Sequence, residues 1–304
     1  MTKKKLQLAT FFGLTLLLNG CRSTPPFVDH PRLTPNVSLR DVTLPSAVLG
    51  RNMKFRLIAP IAPNPAAPLA VLYLLHGAGV NARDWTNNSD IARLAEHNVL
   101  LVLPDAEDVF YINEARGSNR QYETYFLREL MPSVHRLEPS AATDRAHTAI
   151  AGISRGGFGA VVLGLHHPDR FSLVGDLSGA LDLPERRFRY TAPLQSLRLE
   201  RAFGAPDSPV RRDNDPFLLL NAATPPSMPA FFISCGDKDS LLAVNERFNS
   251  RLARRSLPHE FQVVPGAHNW STWNEALPMF ESAFLAHLQK PPPNASSLSP
   301  GPRA

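Results

Sequence analysis

The residues best suited to chemistry are the five from Gly152 to Gly156, Gly-Ile-Ser-Arg-Gly, which fit the G-x-S-x-G pattern of a nucleophile elbow. An elbow lifts its serine on a sharp turn between a strand and a helix, and that turn needs neighbours with almost no side chain. A chain of this length would show the pattern by chance about one time in ten. The alternative is a glycine-rich turn with a surface serine, so the surroundings must support Ser154 as an attacking hydroxyl.

An acid and a base follow the serine in the chain. A serine hydroxyl needs a base to take its proton, and elbow-type enzymes supply the acid and then the histidine after the serine. Asp237 and Asp239 follow the apolar run 230–235, and His268 follows the next run, 260–264. We predict His268 as the general base and Asp239 as the carboxylate that orients it. Asp237 is the alternative acid or a turn carboxylate, and the alternative for His268 is a structural loop histidine.

Donors for a developing oxyanion are expected from two backbone amides. The loop 76–79, His-Gly-Ala-Gly, follows a third apolar run, so the amides of Ala78 and Arg155 form the predicted pair. We interpret His76 as shaping this loop. Neither H-E-x-x-H nor C-x-x-C spacing occurs, and no cofactor or metal is predicted. The remaining histidines interpreted as structural or solvated are His135, His147, His166, His167 and His259.

Strands and helices alternate around these loops. This order predicts an α/β fold with a mostly parallel sheet and right-handed crossovers, while the first two strands, joined without a helix, should be antiparallel at one edge. The strand candidates are 37–44, 54–59, 69–75, 99–103, 147–153, 172–177, 230–235 and 260–264. The helix candidates are 120–136, 156–167, 243–255 and 272–289.

One catalytic domain, residues 37–290, is expected between two less regular ends. Residues 183–228 are its least regular stretch and a candidate cap over the pocket. Its arginines, which charge patterning places on a solvated face, are Arg186, Arg187, Arg189, Arg198, Arg201, Arg211 and Arg212. Cys235 lies in an apolar run and is interpreted as a buried, unpaired thiol.

The amino terminus has the pattern of an export signal. Three lysines precede an apolar stretch, 6–18, that is too short to span a bilayer, so residues 1–20 are predicted to be a signal peptide. Leu-Asn-Gly-Cys at 18–21 is similar to the bacterial lipobox, which implies acylation of Cys21, for example with palmitate, and attachment to a membrane of the cell envelope. The alternative is ordinary secretory cleavage that leaves Cys21 unmodified.

The remaining terminal segments are rich in proline and polar residues. Residues 21–36 are interpreted as a tether and 291–304 as a disordered tail. The net charge of +5 falls to +2 once residues 1–20 are removed, because that segment holds three lysines and no acidic residue. No dense basic run with interleaved aromatic residues occurs, which argues against a nucleic-acid partner.

With these residues in place, the chain resembles the esterase D family of α/β-hydrolases, which includes S-formylglutathione hydrolases, feruloyl and other carboxylesterases, and mycolyltransferases. The resemblance covers about residues 37–288 and implies that the nucleophile, acid and base are Ser154, Asp239 and His268. Arg155 departs from the family pattern, in which methionine is common. The motifs that carry the resemblance are 73–77 with Asp84-Trp85, 122–125, 149–160, 167–171, 177–182, 235–242 and 265–270.

The resemblance implies a membrane-anchored serine carboxylesterase that acts on a small-molecule or envelope-linked ester. Thioesters belong to the same expected class of substrates. An export signal argues against the cytosolic hydrolysis of formylglutathione. Acyl transfer to an envelope alcohol is the first alternative. A catalytically silent binding lipoprotein on the same scaffold is the second.

Overall fold

A computed structural model describes residues 28–187, 191–223 and 227–289. Its centre is one eight-stranded sheet in the order β1-β2-β4-β3-β5-β6-β7-β8. β1 pairs antiparallel with β2, β2 pairs antiparallel with β4, and the other neighbours are parallel, which confirms the predicted α/β class and its antiparallel edge. The strands are β1 Val37–Ser46, β2 Arg51–Pro60, β3 Ala70–Leu75, β4 Val99–Pro104, β5 Thr148–Ile153, β6 Leu173–Leu177, β7 Ala230–Gly236 and β8 His259–Val264.

Helices connect the parallel strands. A π-helical stretch, Phe126–Leu130, joins α2 to α3, so the helix predicted over 120–136 is continuous over 122–137 and has π-type hydrogen bonding in its middle. The α-helices are α1 Arg83–Asn88, α2 Tyr122–Tyr125, α3 Met131–Leu137, α4 Arg155–His166, α5 Pro193–Phe203, α6 Pro209–Asp213, α7 Pro216–Ala222, α8 Leu242–Arg254 and α9 Trp270–Leu288. Among the described residues, 3₁₀ turns lie at Ile91–His97, Arg145–His147 and Leu183–Glu185.

The central strands β3 to β7 are covered on both faces, which explains their largely apolar sequences. Side chains of β3 alternate between two cores, with Tyr73 facing the core that contains Phe158 of α4 and Leu72 facing the core that contains Phe280 of α9. A strand buried on both sides has no polar face to alternate with. Cys235 of β7 is free and 1% exposed, as predicted for a buried thiol.

The segment 183–228 is more regular than expected, since it contains α5, α6 and α7. These helices are short and each begins with a proline, a position that suits proline because the missing N–H would have no partner there. Ser208 and Asp215 cap two of them by accepting hydrogen bonds from backbone amides. Helices this short, 5 to 11 residues, carry too few turns for an apolar period to stand out in the sequence.

The prediction that the arginines of this segment lie on a solvated face is wrong for Arg211. Its side chain is only 4% exposed and donates hydrogen bonds to the carbonyls of Pro184, Arg186, Gly204 and Ala205, at 2.7 to 3.1 Å. A planar guanidinium with five donors is suited to joining several carbonyl groups at once. Arg211 therefore ties the chain before α5 to the loop after it. Arg189 lies outside the described residues.

The last part of the expected tether is held against the domain. The backbone amide of Arg32 donates to the carbonyl of Thr86 at 2.8 Å, and that of His30 donates to Asn87 at 3.1 Å. The carboxylate of Asp29 is bound by the buried guanidinium of Arg56. The expected signal peptide, Cys21 and the tail 291–304 lie outside the described residues. Within the described ranges, no helix has the length and apolar character needed to cross a membrane.

Candidate active site

Ser154 occupies a strained turn between β5 and α4. Its φ of 56° lies in the left-handed region that residues with a side chain rarely adopt. A Cβ on Gly152 would lie 2.3 Å from the backbone of Gly156, and a Cβ on Gly156 would lie 2.2 Å from the carbonyl oxygen of Leu75. Neither position has room for any side chain, so both glycines of the pattern are sterically required, and Ser154 sits on a true strand-to-helix elbow.

Ser154, His268 and Asp239 form one continuous line of hydrogen bonds. The Nε2 atom of His268 lies 2.8 Å from Oγ of Ser154, and its Nδ1 atom lies 2.7 Å from Oδ2 of Asp239. The Asp239 side chain has no exposed surface, whereas His268 is one third exposed. With Nδ1 donating to the carboxylate, Nε2 is left as the acceptor for the serine proton. The structure thus brings together three residues that lie up to 114 positions apart in the chain.

The neighbouring acid, Asp237, has a different environment. Its Oδ1 atom accepts a hydrogen bond from the backbone amide of Gly266 at 2.7 Å, which ties the loop after β7 to the loop that carries His268. The carboxylate of Asp239 instead accepts from the amide of Leu241 at 2.9 Å with the oxygen that His268 does not use. Of the two candidate acids, Asp239 is the one within hydrogen-bond distance of the imidazole.

The loop after β3 is fixed by His76. The ring of His76 is fully buried: its Nε2 accepts from the amide of Ala106 at 2.9 Å, and its Nδ1 donates to the carbonyl of Gly77 at 2.8 Å. Because both nitrogens are engaged, His76 has a structural role, as the sequence indicated. Ala78 of this loop and Arg155 of α4 lie on the same cavity wall as Ser154 and His268.

The cavity at the serine has a volume of about 490 Å³. Both the loops that follow the strands and the segment 183–228 contribute to its wall, the segment through the turn at Leu183 and helix α5. Its apolar side chains are Phe110, Ala180, Leu183, Leu199 and Leu241, and its polar ones are Asp108, Arg186, Gln195, Arg198 and Ser240. A pocket of this size and mixed character suits a small organic ligand.

Trp273 was not predicted as part of the site, although it follows His268 closely in the sequence. Its ring meets that of His268 edge to face, with centroids 5.1 Å apart, and its Nε1 atom donates to Oγ of Ser178 at 3.1 Å. Such an aromatic contact restrains the imidazole on the side that its hydrogen bonds leave free. The sequence signal that could have found it is its position one helical turn after the start of α9.

Asp176 of β6 lies buried below the elbow. Burial raises its pKa to about 8, since no cation faces it among the described residues, and it is therefore largely protonated at neutral pH. A Cβ on Gly157 would come within 2.3 Å of its carboxyl group, and one on Gly179 within 2.2 Å. These two glycines let α4 and the turn after β6 approach the carboxyl closely.

Three side chains away from the cavity could hold a metal ion by their positions: Glu123, His166 and His167, whose ligand atoms lie within 4.8 Å of one another. They bind each other, because Oε1 of Glu123 accepts from His166 at 2.8 Å and from His167 at 2.7 Å. Burial raises the pKa of Glu123, but these two hydrogen bonds outweigh it and lower the pKa to about 2. The cluster links α2 to the end of α4.

The sequence and the fold are similar to those of known esterases. Residues 46–283 match the family described as "Putative esterase". An acetyl esterase of Caldicellulosiruptor saccharolyticus is 28% identical over 216 residues, 68% of this chain and 80% of that protein. The diacylglycerol acyltransferase/mycolyltransferase Ag85B of Mycobacterium avium is 25% identical over 305 residues, 88% of this chain and 87% of that protein. The substrate-bound structure of FphF, a fluorophosphonate-binding serine hydrolase of Staphylococcus aureus, is 26% identical, with a TM-score of 0.71 over 84% of this chain and 99% of that one.

Proposed function

This chain belongs to the esterase family, and from that premise we propose that it is a serine carboxylesterase whose catalytic triad is Ser154, His268 and Asp239. Family membership makes it a serine hydrolase of carboxylic esters with an α/β-hydrolase fold. The observation that carries the proposed triad is the unbroken hydrogen-bond line from Oγ of the serine through the imidazole to a fully buried carboxylate.

In the proposed reaction, Oγ of Ser154 attacks the ester carbonyl carbon while Nε2 of His268 takes the hydroxyl proton. The carbonyl oxygen becomes an oxyanion, and the Asp239 carboxylate stabilises the imidazolium. When the tetrahedral intermediate collapses, the bond to the alcohol oxygen breaks and the imidazolium returns its proton to that oxygen. Water then repeats the sequence on the acyl-enzyme, which releases the carboxylic acid and restores the serine.

Two backbone amides are the proposed oxyanion donors. The amide of Arg155 is at the first position of α4, where helix amides lack partners in the helix, and the amide of Ala78 lies in the loop that His76 fixes. Donors fixed before the reaction need no rearrangement as charge develops, and each typically contributes about 3 to 4 kcal/mol to transition-state stabilisation.

Hydrolysis and acyl transfer differ only in the oxygen that attacks the acyl-enzyme. We favour hydrolysis because His268 is one third exposed, so water reaches the base directly. Acyl transfer to an envelope alcohol is supported by the likeness to a mycolyltransferase along most of the chain. A silent binding protein is disfavoured, since all three polar groups of the triad are in hydrogen-bonding contact.

An acyl-chain and acceptor screen tests this proposal. With 4-nitrophenyl acetate, butyrate and octanoate, and with glycerol or trehalose added as acceptor, we expect free acid to be the main product at every acceptor concentration. Mass spectrometry of the products measures the partition. If acylated acceptor were the main product, the protein would be an acyltransferase. If no ester were turned over, it would be a catalytically silent protein on the same scaffold.

We also propose that the mature protein is attached to a membrane of the bacterial cell envelope through lipid on Cys21. The support is the sequence pattern 18–21 alone, because Cys21 lies outside the described residues. Two or more acyl chains give stable attachment, since each buried methylene contributes about 0.8 kcal/mol.

Replacing Cys21 with alanine in the full chain should move the esterase activity from the membrane fraction to the soluble fraction. The reason is that the altered chain offers no thiol for acylation. Activity in the two fractions after ultracentrifugation is the measurement, with Cys235→Ala as the matched control. Equal partitioning of wild type and Cys21→Ala would reject the lipid anchor.

A further inference from the structure

The cavity at Ser154 contains two guanidinium groups that form no ion pair with a carboxylate of the described residues. Of its charged side chains, Arg186 is bound by Asp182 through two hydrogen bonds of 2.7 and 3.0 Å, and Asp108 is bound by Arg120 and Arg201 at 3.0 and 2.9 Å. Arg155 and Arg198 also line the cavity, and neither has an ion pair with any residue that the structure describes.

Arg155 is the more unusual of the two because its side chain is buried. It is only 7% exposed, and its Nη2 atom donates to the carbonyls of Glu107 at 2.8 Å and Gly77 at 3.4 Å. The guanidinium lies over the ring of Phe110, 5.7 Å from the centroid. Its Nε atom is buried without a hydrogen-bond partner. A buried donor without a partner has a substantial free-energy cost, which a ligand with an acceptor oxygen would remove.

Arg198, by contrast, is exposed to solvent, and it lines the same cavity from α5. Burial has the largest effect on the pKa of Arg155 and lowers it, the charges of Tyr111, Asp108 and Glu114 raise it, and the charge of Arg198 lowers it. Two like charges that face one cavity repel each other in the empty protein. An anion between them would relieve that repulsion.

The acidic side chain on the cavity wall, Asp108, forms its ion pairs with two other arginines. Burial raises the pKa of Asp108, but hydrogen bonds from Arg120 and Arg201 outweigh it and lower the pKa to about 2. Its negative charge is therefore present at neutral pH and is already shared by two other arginines. The charge of Arg155 and Arg198 remains in excess on the cavity wall.

We propose that Arg155 and Arg198 select esters that carry an acidic group, a carboxylate or a phosphate, on the part of the substrate that fills this cavity. Guanidinium groups match the oxygens of both anions, because their N–H donors can pair with two oxygens at once. This inference rests on the proposed function, because it names the substrate class of the same site.

Two matched substrate pairs test the proposal with the purified domain. The first pair is 4-nitrophenyl hydrogen adipate and its methyl ester, and the second is 1-butyrylglycerol 3-phosphate and 1-butyrylglycerol. In each pair the members share the scissile bond and differ in charge. We expect kcat/KM for the charged member of one pair to exceed that of its neutral partner about ten- to a hundredfold, and that pair identifies the anion as carboxylate or phosphate.

The preference should depend on the two arginines and on salt. Arg198→Gln and Arg155→Met should each lower the charged-to-neutral ratio about tenfold, whereas Arg155→Lys should retain part of it. Arg212→Gln, an exposed arginine outside the cavity wall, removes the same charge and should leave the ratio unchanged. Added NaCl should lower the ratio, because salt screens the exposed part of the interaction.

The ratio separates this proposal from a structural role for Arg155, since a disturbed oxyanion loop would slow both members of a pair equally. Equal or greater turnover of the neutral esters, or a preference that survives in Arg198→Gln and Arg155→Met, would overturn the proposal. Its failure is distinct from failure of the proposed function, which would appear as ester hydrolysis that does not require Ser154.

Discussion

Ser154→Ala should lower kcat for 4-nitrophenyl acetate by about ten-thousand-fold or more, equivalent to at least about 5 kcal/mol of lost transition-state stabilisation. The substitution removes the hydroxyl that Nε2 of His268 is placed to deprotonate, at 2.8 Å. The fold should be unaffected, because alanine fits the same turn. Release of 4-nitrophenolate at saturating ester measures the loss.

A serine outside the site provides the matched control for this variant. Ser250 is exposed near the end of α8, and Ser250→Ala should hydrolyse the ester at the wild-type rate with an unchanged melting temperature. If Ser154→Ala retained wild-type turnover with the same substrate, Ser154 would not be the nucleophile, and the proposed triad would be rejected.

Asp239→Asn should give the second largest loss, about a thousand- to ten-thousand-fold in kcat. An asparagine amide can donate a hydrogen bond to Nδ1 of His268, which would leave the proton on Nε2. The imidazole would then present a donor instead of an acceptor to Ser154, although the geometry would be retained. Steady-state kinetics over a range of pH measure the effect.

Asp237→Asn is the comparison that makes this prediction specific. Asparagine keeps the oxygen that accepts from the amide of Gly266, so the loop contact survives and we expect less than about a tenfold loss. A larger loss for Asp237→Asn than for Asp239→Asn would assign the orienting role to Asp237. Equal losses would indicate that the two substitutions act through the shared loop.

Much of the site was predictable because its parts are encoded locally. The elbow needs glycine at 152 and 156, where any Cβ would lie within 2.3 Å of backbone atoms. This steric requirement is visible in the sequence as the two glycines themselves. The apolar strands on either side of the loops are equally local, because they are buried on both faces of the sheet. The order of serine, acid and histidine then follows from the order of the strands.

The segment 183–228 was less predictable, for a physical reason. Its three helices are short and lie at the edge of the core, so their sequence carries weak periodicity and many charges. The sequence pattern could not separate the buried Arg211 from the exposed Arg212, because both belong to the same five-residue helix. Burial there depends on which side of the helix faces the loop that follows α5.

By itself, the sequence determined the fold class, the elbow, the candidate base and the family resemblance, since each rests on short motifs or on the alternation of strands and helices. Only the tertiary structure shows which of Asp239, the predicted acid, and Asp237 contacts the imidazole, because the two lie two positions apart on one loop but have different partners. It also decided which cavity arginines have no carboxylate partner. Arg155 and Arg198 lie on helices whose first residues are 38 positions apart in the chain. They line the same cavity only because the tertiary fold brings these helices together, which no local pattern encodes.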